Sequence, residues 1–102
     1  MIKGAIVDLG GTEYTVPPLK FADLQRLLPK IKAMREFSGE ITDEFIATVV
    51  DIVGSALRRN YPDFGEDRLR DCLDLGNFRA VLNATLGAAG LEKQPGEARA
   101  GT

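Results

Sequence analysis

The sequence predicts a mainly helical α+β fold in which an N-terminal β-hairpin precedes a small bundle of about four helices. Three observations carry that prediction. Two short runs of alternating character meet at Gly10-Gly11; later segments bring apolar residues back at helical spacing; and Pro, Gly and Asn punctuate the joints between them. A chain of 102 residues with 44% hydrophobic and 27% charged residues fits one ordinary globular domain with a modest core. The expected domain is 1–91, with the hairpin at 4–16 and the helices within 19–91, followed by a flexible tail at 92–102 that has no apolar periodicity.

Two glycines supply the positive φ that a two-residue primed turn needs, so Leu9 should pair with Thr12, Val7 with Tyr14 and Ala5 with Val16, all six on one face. Ile6, Asp8, Glu13 and Thr15 then occupy the other, mostly polar face. A lone hairpin is barely stable in water and must lie on the helices or pair with another chain. Pro17-Pro18 ends the second strand.

From Leu19 the residues Phe21, Leu24, Leu27, Leu28 and Ile31 recur at helical spacing, and Pro29 predicts a break or kink near Leu28. Residues 36–40 read as a loop. Thr42 is then placed to cap a helix with Asp43 and Glu44 in its first turn and an apolar stripe of Phe45, Ile46, Val49, Val50, Val53, Ala56 and Leu57. Arg58 and Arg59 suit its C-terminal dipole, and Asn60-Tyr61-Pro62-Asp63 stops it. A short helix from Gly65 to Leu73 turns Leu69, Cys72 and Leu73 inward. After Asp74-Leu75-Gly76-Asn77, a last helix buries Phe78, Val81, Leu82, Thr85 and Leu86 and ends within Gly87 to Gly90.

Composition narrows the chemistry. A net charge of −2 gives no field for phosphate backbones, so nucleic acid is not an expected partner. With no histidine, the commonest neutral-pH base and metal ligand is missing. Cys72, the single cysteine, has no disulfide partner within the chain, and a reducing cytoplasmic setting is expected. The first residues do not read as a secretion signal, and the apolar cluster from Phe45 to Leu57 is too interrupted to span a bilayer.

Each motif with a chemical reading also has a plainer one. Asp8-Leu9-Gly10-Gly11-Thr12 matches the phosphate-binding hairpin of actin-like sugar kinases, but the two large lobes such enzymes need do not fit here, and a hairpin turn accounts for it. Asp63, Glu66, Asp67, Asp71 and Asp74 alternate with Arg68 and Arg70 as a solvated helix face does, and lack the spacing of a calcium loop. Cys72 sits with Leu69 and Leu73 as a small apolar residue. No catalytic, cofactor or metal residue is therefore expected. Phe37 and Tyr61, aromatics at loop edges, and Arg58 and Arg59 are the candidates for contact with a protein partner.

The order of these features resembles the small tail assembly chaperones of long-tailed bacteriophages and prophages. The resemblance runs from the glycine-turn hairpin ending in Tyr14-Thr15-Val16-Pro17-Pro18-Leu19 through the helix with Pro29. It continues with Ala56-Leu57-Arg58-Arg59-Asn60-Tyr61-Pro62-Asp63 and Leu73-Asp74-Leu75-Gly76-Asn77-Phe78, with Val81 and Gly87 following. It covers residues 4–91 and rests on turns and helix boundaries. It implies a non-enzymatic, mainly helical protein that binds the tape measure protein in the bacterial cytoplasm during tail assembly. Possible contacts to the tail tube protein and self-association are also implied, as is absence from the finished virion. Some members are made in a longer, frameshifted form as well. A small structural tail or head-completion protein and a host protein-binding adaptor are the alternative readings.

Overall fold

The computed structural model describes residues 1–35 and 41–88. Among these, β1 (Ala5–Leu9) and β2 (Thr12–Val16) form an antiparallel hairpin, followed by α1 (Phe21–Arg35), α2 (Asp43–Leu57), α3 (Glu66–Cys72) and α4 (Phe78–Ala88). The register is the expected one: Ala5 opposite Val16, Val7 opposite Tyr14, Leu9 opposite Thr12. Gly10 and Gly11 take φ of 64° and 87°, the left-handed values a primed turn requires. The Asp8 carboxylate accepts the Gly11 N–H at 2.9 Å, which accounts for the aspartate in the kinase-like motif as a turn residue.

The hairpin lies on the helices. Val7, Leu9, Tyr14 and Val16 are buried beneath it against α2 and α4, while Thr12, at the turn, is exposed. At the centre is α2, in contact with α1, α3, α4 and β2, and its residues from Thr48 to Leu57 are buried except Asp51, which is half-buried. Thr42 caps it as its sequence predicts, its hydroxyl accepting the Phe45 N–H at 3.1 Å. The α4 stripe of Phe78, Val81, Leu82, Thr85 and Leu86 is buried throughout, and Thr85 satisfies its hydroxyl on the Val81 carbonyl at 2.8 Å.

Three expectations need correction, and all concern α1 and α2. The first helix continues from Phe21 to Arg35 through Pro29, without the break that is one of the two outcomes expected near Leu28. Gln25, whose carbonyl loses its helical donor at Pro29, is exposed, as is Pro29 itself, so the missing bond falls on the open side of the helix. Leu27 and Ile31 on either side are both buried and hold the helix in one piece. Phe21 and Leu28, expected inward, are exposed. Seven residues apart, they fall on one stripe about a quarter-turn from the Leu27–Ile31 stripe that faces the core. Ile46 is likewise 44% exposed, because its side of α2 is left open rather than covered by another element.

Ion pairing fastens α1 to α2. Asp51 accepts from Arg26 at 2.9 Å and from Ser55 at 3.3 Å, with Lys30 at 3.6 Å, and Arg26 also reaches Ser55 at 3.0 Å. Partial burial pushes the Asp51 carboxyl up, but the hydrogen bond and charge of Arg26, aided by Lys30 and Ser55, outweigh it and leave the group below its ordinary value.

Candidate functional site

The two ends of α2 have different surroundings. At its C-terminal end, residues 58–61 stitch three parts of the chain together. Arg59 donates to the Pro18 carbonyl at 2.7 Å. Asn60 accepts the Ile2 N–H at 2.7 Å and donates to the Ile2 and Thr15 carbonyls at 2.8 and 3.1 Å. The Tyr61 hydroxyl accepts the Thr15 N–H at 2.9 Å. Tyr14 packs edge-to-face on both Tyr61 and Phe64, with centroids 5.1 Å apart in each pair. Arg68 donates to the Tyr14 hydroxyl at 2.6 Å while lying 4.6 Å from the Phe64 ring centroid.

The candidate contact residues fall on this stitched end, apart from Phe37, which lies outside the described residues. Arg59 and Tyr61 are engaged within the chain, and Arg58 is the C-cap of α2, its guanidinium 3.5 Å from the Phe64 carbonyl. The structure thus gives Arg58, Arg59 and Tyr61 intramolecular partners and brings them together at one end of the molecule. Cys72 is half-buried, its sulfur 3.4 Å from where a Cβ on Gly10 would stand. In the acidic run, Asp74 accepts the N–H groups of Gly76 and Asn77 at 2.8 and 3.0 Å, so it serves the turn before α4. Among the described residues no three His, Cys, Asp or Glu side chains converge to hold a metal ion.

At the N-terminal end of α2 lies an apolar groove of about 250 Å³. Phe45, Val49 and Val50 of α2 and Phe78 of α4 line it, and Phe45 and Phe78 meet edge-to-face at 5.8 Å. Ile41, Ile46, Leu73 and Leu75 line it as well, and Arg70 and Asp74 are its charged members. Ile46 and Leu75 are 44% and 76% exposed. Apolar walls with a few charged groups are what a protein-binding groove needs: area to bury and a means of orienting what enters.

Sequence reading missed this groove. Ile46 belongs to the same helical stripe as the core residues, and Leu75 sits inside a turn motif. The excess width of the α2 apolar arc, Ile46 beside Val49 and Val50, was the available signal.

No protein-family model matches the chain, and no characterised protein or solved structure matches it. No helix among the described residues is long and apolar enough to cross a membrane.

Proposed function

We propose that this chain is a non-enzymatic tail assembly chaperone of a long-tailed phage or prophage, binding the tape measure protein in the bacterial cytoplasm and leaving before the virion is complete. The observation that supports it is the open groove at the N-terminal end of α2, where isoleucine and leucine stand exposed beside a well-packed core. An apolar stretch of an unassembled partner laid there would be shielded from water, and with it from aggregation. The order of turn and helix motifs from residue 4 to 91 supplies the particular partner.

Co-expression with the tape measure protein of the same genome tests this reading. The expected outcome is a soluble complex from a partner that is insoluble alone. The double variant Ile46→Ser, Leu75→Ser should lose that effect while its own stability changes by only about 0.5 kcal/mol per site, as for exposed positions. A partner that stays insoluble when both proteins are made would overturn the proposal. Stoichiometric recovery of this chain in purified virions would instead make it a structural part of the tail.

A further inference from the structure

The two edges of the hairpin are not equivalent. With a two-residue turn at Gly10-Gly11, the flanking pair Leu9 and Thr12 is hydrogen-bonded, and so in alternation are Val7 with Tyr14 and Ala5 with Val16. The intervening pairs, Asp8 with Glu13 and Ile6 with Thr15, turn their backbone groups outward. On β2 the outward groups of Thr15 are taken, the N–H by Tyr61 at 2.9 Å and the carbonyl by Asn60 at 3.1 Å. On β1 the outward N–H and C=O of Ile6 and Asp8 have no hydrogen-bond partner among the described residues.

The side chains on this edge carry no ion pair among the described residues, and the Asp8 carboxylate is held by the Gly11 N–H at 2.9 Å. Ile6 is 66% exposed. Asp8 and Glu13 stand directly opposite one another in a non-hydrogen-bonded pair, where side chains come closest, and no cation pairs with either among the described residues. Like charges so placed repel, and a cation delivered beside them is attracted by both.

We infer that the free edge of β1 is a strand-addition site for an extended segment of another protein, one that sets a lysine or arginine beside Asp8 and Glu13 and an apolar side chain, two residues away, against Ile6. Backbone bonds to Ile6 and Asp8 supply the attachment, and the carboxylate pair selects a basic strand over an acidic one. A second copy of this chain fits less well. Joining two β1 edges gathers four carboxylates on one sheet face, and a five-residue edge falls far short of the roughly 1,200 Å² that a stable dimer buries. The edge shares no residue with the α2 groove and does not depend on the chaperone reading.

The test uses the full chain and an end-capped peptide, Thr-Lys-Thr-Val-Thr-Lys-Thr, whose palindromic order suits either strand direction. NMR titration should give saturable shifts at Ile6 and Asp8 with slowed exchange of both amides, and the same peptide with Glu for Lys should give none. Asp8→Asn keeps the acceptor for the Gly11 N–H and removes the charge, so it should weaken binding about twofold to fivefold. Ile6→Pro removes an outward N–H without touching the ladder and should abolish binding while the other hairpin resonances stay in place. Absence of shifts with the lysine peptide, equal binding of the glutamate peptide, or shifts confined to the groove would overturn the proposal. So would protection of the Ile6 and Asp8 amides in the isolated chain together with a dimeric mass by light scattering, which would assign the edge to a second copy.

Discussion

One helix, α2, serves two regions built on opposite principles. Around its C-terminal end, aromatic rings and side-chain hydrogen bonds tie the N-terminus, β2 and α3 into one closed unit, and backbone polar groups that a sheet edge would leave open are satisfied there. Around its N-terminal end the contacts are apolar, and exposed Ile46 and Leu75 leave the packing unfinished. The closed end carries stability, and the open end carries the surface on which a partner is proposed to bind. The hairpin repeats the contrast on a smaller scale, with β2 clamped and β1 free.

Substitutions should separate the two regions. The largest effect is expected from Phe64→Ala at the closed end. Phe64 is 2% exposed and lies under Tyr14, so the loss should be about 3–5 kcal/mol by chemical denaturation, enough to leave little folded protein. Asn60→Ala comes next. It leaves the Ile2 N–H and the Ile2 and Thr15 carbonyls without their side-chain partner in partly exposed surroundings, costing about 1–2 kcal/mol, and native-state exchange should show the Ile2 amide opening first while the Thr15 amide, held by Tyr61, stays protected.

The smallest effect of the three belongs to the half-exposed ion pair between α1 and α2. Asp51→Asn should cost about 1 kcal/mol or less at neutral pH. Because the folded-state value of Asp51 is depressed, its contribution is fully present above the ordinary carboxylate range and is lost as pH falls through that lowered value. Denaturation midpoints of the native chain and of Asp51→Asn should therefore converge as pH falls below the ordinary carboxylate range. A constant gap between them would mean that the aspartate acts by shape rather than by charge.

Much of the fold is legible from local chemistry. Two adjacent glycines admit a primed turn that fixes every pair in the hairpin, and Thr42 followed by acidic residues and an apolar stripe fixes the start and face of α2. The groove is less legible, because periodicity reports which residues share a side of a helix and not how much of that side a neighbour covers. Phe21, Leu28 and Ile46 show this: each continues a helical apolar pattern, and each is left exposed. The roles of Asn60 and Tyr61 were hidden for a related reason. Read along the chain they stop a helix, while their side-chain bonds reach back 45 residues or more to Thr15 and Ile2.

The sequence by itself therefore determined the elements, the hairpin register and the N-terminal cap of α2, since each depends on residues within a turn or two of one another. Tertiary structure decided that α1 passes through Pro29, that the stop after α2 doubles as the clamp on β2, and that one edge and one groove stay open. Those outcomes depend on which surfaces meet, and burial is settled only when elements distant in the chain compete for the same faces of α2.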